Sequence, residues 1–182
     1  MLEEKLILVK PTLEHKNQAK QMMDEARMYD ANNPDIWAGY SSMQEYENYE
    51  EWLQKLDQDL DFEHIKPGRV PESTSFLVRV SDNKIVGIIN IRYSLNEYLE
   101  NYGGHIGYSI RATERRKGYG YKQLVLGLEK CLEIPIKKVL VTCRDYNKGS
   151  AKVIEKCGGV YEDTRFSEKE NDNMKRYWIT LN

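Results

Sequence analysis

The sequence predicts an α/β domain in which a mixed sheet of six or seven strands is flanked by helices. Two strand-like runs joined by a polar turn lie between residues 75 and 93, and a second such pair lies between residues 160 and 181. Between these pairs, apolar residues recur with helical spacing over residues 121–132. With 182 residues, 40% of them hydrophobic, the chain suits one domain covering residues 1–182.

The first third of the chain is predicted to contain a short strand and two helices. Residues 6–9 favour a strand, and a Pro-Thr pair then starts a helix with an apolar stripe over residues 13–26. After a turn-rich link at residues 29–41, the capping-box pattern at residues 42–45 predicts the second helix. Its stripe, which we attribute to core packing, consists of Tyr46, Tyr49, Leu53, Leu56 and Leu60.

The remaining elements follow from residue alternation, helical spacing and turn residues. They are strands at 75–80 and 85–93, a loop at 94–104, a strand at 105–111, a helix at 121–132, a strand at 138–143, a helix at 148–157, and strands at 160–166 and 174–181. Pro135 and the two residues before it are expected to end the helix at 121–132, because proline has no backbone N–H to continue it.

A run of Arg-Arg-Lys-Gly-Tyr-Gly at residues 115–120 predicts a phosphate-binding loop, because it connects a strand to the start of a helix. The first N–H groups of a helix have no intrahelical partner and carry the positive end of its dipole, so they attract anions. Gly118 and Gly120 allow a tight turn and a close approach to the ligand, and three cationic side chains add charge. The run fits neither a P-loop nor a dinucleotide fingerprint.

The Arg-x-x-Gly-x-Gly spacing of residues 115–120 resembles the signature with which GCN5-related N-acetyltransferases, the GNAT family, hold the pyrophosphate of acetyl-coenzyme A (acetyl-CoA). The order of elements up to Asn147 and the helix after it is also similar, and the resemblance covers residues 76–181. It implies the GNAT acyl-CoA N-acyltransferase fold, in which the fourth and fifth strands splay apart around the pantetheine arm. A helical segment at about residues 29–66 then belongs to the acceptor side.

The resemblance also implies which residues bind acetyl-CoA. The backbone of Tyr108 and Ile110 is expected to pair with the pantetheine amides, and Asn147 with Ser150 is expected beside the pantetheine. Asn147 is equally suited to be a helix N-cap, and the two roles are compatible. The diphosphate is expected to lie over Arg115, Arg116, Lys117, Gly118, Tyr119, Gly120 and Tyr121.

The usual catalytic side chains of the family are missing. Many members place a tyrosine where this chain has Ile154, and some place a glutamate where it has Thr142. The resemblance therefore implies an N-acetyltransferase acting by direct attack of an amine on the thioester, while the missing groups leave an alternative. That alternative is a non-catalytic acyl-CoA-binding sensor or interaction protein of the same fold.

Acyl transfer to an amine needs a route for the ammonium proton and an acid for the departing thiolate. His105 is the leading candidate base, because an ordinary imidazole pKa of about 6.5 suits proton transfer, although it could also be a bystander. Tyr108 could donate a proton to the sulfur, or strand alternation could bury it. Glu97 and Glu100 are further candidates for the base. Deprotonation through water would need no dedicated group.

Charge and composition limit the partners. The net charge is -2 and the basic residues are scattered over many elements, so we expect no nucleic acid. Residues 1–75 contain 8 Lys and Arg against 16 Asp and Glu, whereas residues 76–182 contain 19 against 13. This division fits ordinary solvated faces, or else an anionic cofactor on the basic half and an amine acceptor on the acidic half.

The cysteines and the N-terminus predict a cytoplasmic protein. Three cysteines without metal-binding or C-x-x-C spacing indicate a reducing compartment and no metal. Residues 1–5 lack the features of a signal peptide, and no run approaches the roughly 18 apolar residues of a membrane span. The acceptor is expected to be an amine of a small molecule or peptide that the sequence does not identify. The oligomeric state stays open between monomer and homodimer.

Overall fold

The computed structural model describes residues 4–63 and 65–181, and these residues form seven strands and four α-helices. In chain order the elements are β1 (Leu6–Val9), α1 (Lys16–Asp30), α2 (Tyr49–Gln58), β2 (Glu72–Arg79), β3 (Lys84–Arg92), β4 (Ile106–Ile110), α3 (Tyr119–Cys131), β5 (Lys138–Arg144), α4 (Lys148–Lys156), β6 (Val160–Ser167) and β7 (Asp172–Thr180). The predicted α/β fold is confirmed. Residues 1–3 and 64 lie outside the described residues. The prediction that residues 1–5 lack signal-peptide features falls partly on the former, and the predicted acceptor-side segment includes the latter.

The seven strands form two antiparallel sheets. The first has the order β1-β2-β3-β4, and the second has the order β5-β7-β6. The predicted hairpin is β2 with β3, where Phe76 lies opposite Ile88, and the predicted C-terminal pair is β6 with β7. No ladder joins β4 to β5 within the described residues, so a gap separates the two sheets along most of β4.

Helices cover both faces of the first sheet. Along β3, Ile88 packs with α1 and α2, whereas Ile89 packs with α3 and β5, because successive strand residues point to opposite faces. Trp52 of α2 and Leu124 of α3 are fully buried on these two sides. Burying such a side chain contributes roughly 2 kcal/mol to stability, which fixes the helices against the sheet.

The predicted capping box is wrong. Ser42 has a φ of +61° in the left-handed region, and its side chain makes no capping hydrogen bond. Met43–Glu45 form only one 3₁₀ turn, and α2 begins at Tyr49. A left-handed residue changes the direction of the backbone, so an α-helix cannot continue directly from Ser42. Because α2 ends at Gln58, Leu60 lies beyond it, although Tyr49 and Leu56 are buried in the core as predicted.

Other boundaries differ by smaller amounts. The segment predicted as a loop at residues 94–104 contains a π-helical turn, Leu99–Gly103. α3 begins at Tyr119 and ends at Cys131, so Pro135 follows a helix that has already stopped. In the part of the chain that is described, no helix combines the length and apolarity needed to cross a bilayer.

Candidate active site

A cavity of about 1030 Å³ occupies the gap between β4 and β5. Gly118, Gly120 and Asn147 line it where α3 and α4 begin. Glu72 and Arg92 line it where β2 begins and β3 ends. The cavity thus connects two helix N-termini, which favour an anion, to a second region that carries both signs of charge.

The loop before α3 has the backbone of an anion-binding site. Gly118 is the N-cap with a φ of +82°, and a Cβ at this residue would meet no atom within 4 Å. Glycine is therefore needed here for its left-handed conformation and not for space. Among the described residues no side chain caps this end of α3, so its first amides remain available to a ligand.

The three cations of the loop have different partners. Arg115 forms a two-bond ion pair with Asp30, one bond of which measures 2.8 Å. The Nζ of Lys117 lies 2.8 Å from the carboxylate of Glu114. Arg116 lines the cavity, and within the described residues no carboxylate lies within 4 Å of it. The sequence analysis expected all three cations to add charge at the phosphate site, and of the three, in the described residues, only the Arg116 guanidinium has no carboxylate partner.

Glu114 holds the loop from beneath, a role that the sequence did not indicate. Its buried carboxylate accepts hydrogen bonds from Arg79 at 2.9 Å, Lys84 at 2.5 Å and Lys117 at 2.8 Å. Burial opposes its ionisation, but these three cations outweigh burial and lower the pKa of Glu114 to about 2. The Tyr119 hydroxyl also contacts Arg79 at 3.1 Å, so this side chain lies below the loop and leaves only its backbone to a ligand.

One edge of β4 faces the cavity. At the two ends of the strand, the backbone of His105 and Arg111 hydrogen-bonds to β3. Because backbone groups alternate between the two edges of a strand, those of Tyr108 and Ile110 point to the β5 side. The Ile110 carbonyl accepts a hydrogen bond from Nε of Arg115 at 3.1 Å. This edge is open to an extended ligand, and the pairing of Tyr108 and Ile110 with pantetheine stays a prediction.

Asn147 caps α4, and its prediction as a helix N-cap is confirmed. Its Oδ1 accepts the backbone N–H of Ser150 at 3.0 Å. Both residues line the cavity, where their contact with pantetheine stays a prediction. Tyr121 also lines it, and the Nζ of Lys156 lies 4.1 Å from the centre of its ring.

The Tyr108 hydroxyl is buried beside the cavity and makes no hydrogen bond of ordinary geometry within the described residues. Burial raises the pKa of Tyr108 well above its usual value, and the side chain of Ser150 only partly offsets this effect. The phenol therefore keeps its proton and can act as a donor. Ile154, at the family's tyrosine position, is fully buried in the core, and the Thr142 hydroxyl donates to the Tyr102 carbonyl at 2.8 Å.

His105 is nearly buried, and its imidazole is already engaged. Nδ1 accepts the backbone N–H of Leu140 at 2.9 Å. Burial and, to a smaller extent, the charge of Arg92 lower the pKa of His105 to about 4. The neutral ring then carries its proton on Nε2, so neither nitrogen offers a free lone pair. The base role of His105 stays a prediction, and this geometry argues against it.

The end of the cavity away from the loop before α3 contains charged residues that the sequence analysis missed. Glu72 accepts a 2.6 Å hydrogen bond from Ser41 and lies 3.1 Å from the Nζ of Lys55, while Arg92 lies 3.9 Å away. The predicted strand began at residue 75, and so excluded Glu72. The two glutamates proposed from the sequence, Glu97 and Glu100, are exposed and do not line the cavity.

The cavity between β4 and β5, with the glycine-containing loop before α3 at one end, has the architecture expected of an acyltransferase of the GNAT class. A family model described as acetyltransferase (GNAT) domain matches residues 5–160. The chain therefore belongs to the GNAT acetyltransferase family, and acetyl-CoA is its cosubstrate. A search of curated proteins found no match.

Solved structures share the fold at low sequence identity. The microcin C7 self-immunity acetyltransferase MccE, solved with acetyl-CoA and AMP, has a TM-score of 0.70 and 17% identity, covering 98% of this chain and 93% of its own. RimL, a ribosomal L7/L12 alpha-N-protein acetyltransferase solved with coenzyme A, has a TM-score of 0.69 and 14% identity, covering 100% and 97%. A spermidine N-acetyltransferase SpeG chimera from Vibrio cholerae and hSSAT has a TM-score of 0.62 and 16% identity, covering 97% and 95%.

Proposed function

We propose that the protein is an N-acetyltransferase that moves the acetyl group of acetyl-CoA to an amine of a small molecule or peptide by direct attack. The observation that carries this proposal is the cavity between β4 and β5, which connects the phosphate loop to a separate acceptor region. Two ligands that enter from opposite ends would meet inside the gap. Holding both reactants in this way supplies much of the rate enhancement in a two-substrate transfer.

In the proposed complex, the diphosphate lies on the first amides of α3 and against the guanidinium of Arg116. The pantetheine follows the open edge of β4, where the backbone of Tyr108 and Ile110 pairs with its amides as a further strand would. Asn147 and Ser150 contact it from the start of α4. This arrangement would bring the thioester into the gap between the strands.

The proposed chemistry needs few side chains. The neutral amine attacks the thioester carbonyl, and the C–S bond of the resulting adduct breaks. The thiolate takes a proton from an acid, and the proton that the new amide nitrogen loses returns to that acid through water in the cavity. Tyr108 is the proposed donor, because burial keeps its phenol protonated. The ammonium loses its proton to water in the cavity. His105 cannot take this proton, because its Nδ1 accepts the Leu140 N–H and its Nε2 already carries a proton.

The charges of the acceptor region favour an acceptor with a single ammonium group. Three carboxylates line this region, and three guanidinium groups accompany them. These residues are Asp35, Glu72, Glu170, Arg69, Arg92 and Arg144. A polyamine would bring several positive charges into a region that has no excess of negative charge. A peptide α-amine, or a small amine with further polar groups, fits better.

Thiol release tests this proposal. The full chain is incubated with acetyl-CoA and one amine at a time: a peptide with an N-terminal serine, a lysine peptide, single amino acids, and spermidine. We expect coenzyme A release with at least one amine of single charge, and slower release with spermidine.

The sensor alternative is favoured by the side chains at residues 142 and 154, where relatives carry catalytic groups. It predicts tight acetyl-CoA binding in calorimetry with no amine-dependent thiol release from any member of a broad panel. Absence of acetyl-CoA binding would contradict both functions.

A further inference from the structure

Arg92, the last residue of β3, lines the cavity and uses only part of its guanidinium for bonds within the protein. Its Nη1 donates to the carbonyls of Gly103 and Gly104 at 3.2 and 3.0 Å. Within the described residues, Nε and Nη2 make no hydrogen bond of ordinary length, and the carboxylate of Glu72 lies 3.9 Å from Nε. These two N–H groups form one edge of the guanidinium. That edge is available to a ligand in the cavity.

The same edge of arginine binds carboxylates elsewhere in this chain. Arg79 donates from Nε and Nη2 to the two oxygens of Asp82 at 2.9 and 2.6 Å. Arg111 donates from the same two atoms to Glu25 at 3.0 and 2.7 Å. Two parallel donors match the two oxygens of a carboxylate, which makes such pairs stronger and more specific than single hydrogen bonds. The free edge of Arg92 can therefore bind the carboxylate of a ligand in the same way.

Glu72 is held away from this edge by other groups. Its Oε1 accepts hydrogen bonds from the Ser41 hydroxyl at 2.6 Å and from the Lys55 ammonium at 3.1 Å. Burial lowers the pKa of Arg92, and the charge of Glu72 only partly opposes this effect. An arginine nevertheless stays charged at neutral pH. A partly buried cation whose counter-ion is engaged elsewhere favours an anionic ligand.

The free edge lies beside the strand that is proposed to bind the pantetheine. A Cβ on Gly107 would lie 3.7 Å from Nη2 of Arg92, and Gly107 precedes Tyr108 on β4. Asn90 lies opposite Gly107 and lines the cavity, and its buried Oδ1 has no hydrogen-bond partner among the described residues. Buried polar groups are rarely left unpaired, so this oxygen also indicates a polar ligand. An anion bound by Arg92 would be close to the proposed thioester position.

We propose that the acceptor is a free α-amino acid, whose carboxylate binds Nε and Nη2 of Arg92 through two parallel hydrogen bonds. This inference rests on the proposed function and names its substrate class. Because Arg92 lies beside β4, the amine to be acetylated must be close to the carboxylate, and an α-amino acid carries both groups on one carbon. Asn90 offers the amine a hydrogen-bond acceptor. The nitrogen forms a bond to the acetyl carbon and the C–S bond breaks, so the products are an N-acetyl amino acid and coenzyme A, with the proton transfers given above.

Matched pairs of acceptors test this proposal in the wild-type chain. Each common α-amino acid is compared with its amide, and kcat/KM is obtained from the release of coenzyme A. The amide has the more acidic ammonium group, which favours the neutral amine, so a preference for the acid cannot come from amine reactivity. We expect kcat/KM to be at least about tenfold higher for the acid in the pairs that react, as for a hydrogen-bonded pair of charges.

Arg92→Lys keeps the positive charge but removes the edge with two donors. We expect the ratio of kcat/KM between acid and amide to fall to within about threefold, while acetyl-CoA affinity in calorimetry stays near that of wild type. Arg165→Lys is the matched control, because Arg165 also donates from Nε to a carboxylate, that of Asp163 at 2.9 Å, but does not line the cavity. Its ratio should equal that of wild type.

Amides that react as well as the acids in every pair would overturn the proposal, and this result does not depend on any variant folding. So would a preference for γ-aminobutyrate over all the α-amino acids, or an Arg92→Lys variant that keeps the full preference for acids. Thiol release only with peptides or with amines that lack a carboxylate would overturn it and leave the proposed function standing.

If no amine releases thiol, the proposed function fails. Calorimetry of the same pairs against the chain with coenzyme A then decides the inference. Tighter binding of the acid than of its amide would support a carboxylate site at Arg92, and binding of no acid would overturn it.

Discussion

The carboxylate of Asp35 accepts a 2.8 Å hydrogen bond from Nε of Arg144. This bond joins the segment after α1 to the last residue of β5, so it spans the gap between the two sheets. Arg144 is buried and also bonds Glu170 and Asp172 of the hairpin between β6 and β7, each at 3.0 Å. One guanidinium thereby fixes three carboxylates around the same end of the cavity.

Asp35→Asn should loosen the segment that covers the cavity. The amide keeps the shape of the side chain but removes the charge that strengthens the bond to Arg144. We expect acetyl-CoA to bind about threefold to tenfold more weakly, corresponding to a loss of about 1 kcal/mol. Calorimetry measures the change. Asp24→Asn is the control, because Asp24 pairs with Arg27 on the exposed face of α1. An equal loss in that variant would contradict the role of Asp35.

Arg116→Ala should weaken acetyl-CoA binding more than Lys117→Ala. Arg116 is free to meet the diphosphate, whereas the charge of Lys117 is already matched by Glu114. We expect roughly a fivefold to tenfold loss for Arg116→Ala and less than threefold for Lys117→Ala, with the difference shrinking in high salt because exposed charges are screened. Titrations at two salt concentrations provide the measurement, and equal losses would show that the ion pair does not shield Lys117.

Gly118→Asp should abolish acetyl-CoA binding, because it places a carboxylate where we propose that the diphosphate approaches. Gly118→Ala is the matched control: a Cβ finds open space, so the alanine variant suffers only the strain of a left-handed residue, about 1 kcal/mol. We expect the alanine variant to keep measurable binding and the aspartate variant to show none by calorimetry. Normal binding in Gly118→Asp would remove the loop from the cofactor site.

Glu114→Gln should destabilise the protein in a pH-dependent way. The native pKa of Glu114 is about 2, against an ordinary value of 4.5, so ionised Glu114 contributes stability that is complete above about pH 4.5 and is lost as the pH falls towards 2. The shift corresponds to about 3 kcal/mol at neutral pH. Urea unfolding at pH 7 and pH 3 should show a smaller difference between variant and wild type at the lower pH. A constant difference would contradict this account.

The sequence predicted those features that depend on residues close to each other along the chain. Gly118 and the helix start beyond it, and Asn147 as the cap of α4, follow from local backbone requirements. Two of the three cationic partners of Glu114, by contrast, come from positions 30 and 35 residues away, and no spacing rule connects them to it. The capping-box prediction at Ser42 was wrong because the left-handed conformation at this residue depends on how the chain packs there.

His105 illustrates the same limit at the candidate site. Its residue type and its place at the start of a strand can be seen in the sequence, and they suggested proton transfer. Whether its nitrogen is free depends on the N–H of Leu140, 35 residues further along the chain. Only the packing of β4 against β5 decides between a reactive imidazole and an engaged one.

The division into two sheets also sets an order of events during synthesis. All four strands of the first sheet precede residue 111, and all three of the second follow residue 137. A ribosome therefore releases a complete first sheet while the second is still being translated, and Ile89, Ile91 and Ile106 then lack the partners that bury them. The nascent chain then has one wall of its cofactor cleft, and α3 alone covers the apolar face that β5 and β7 later complete.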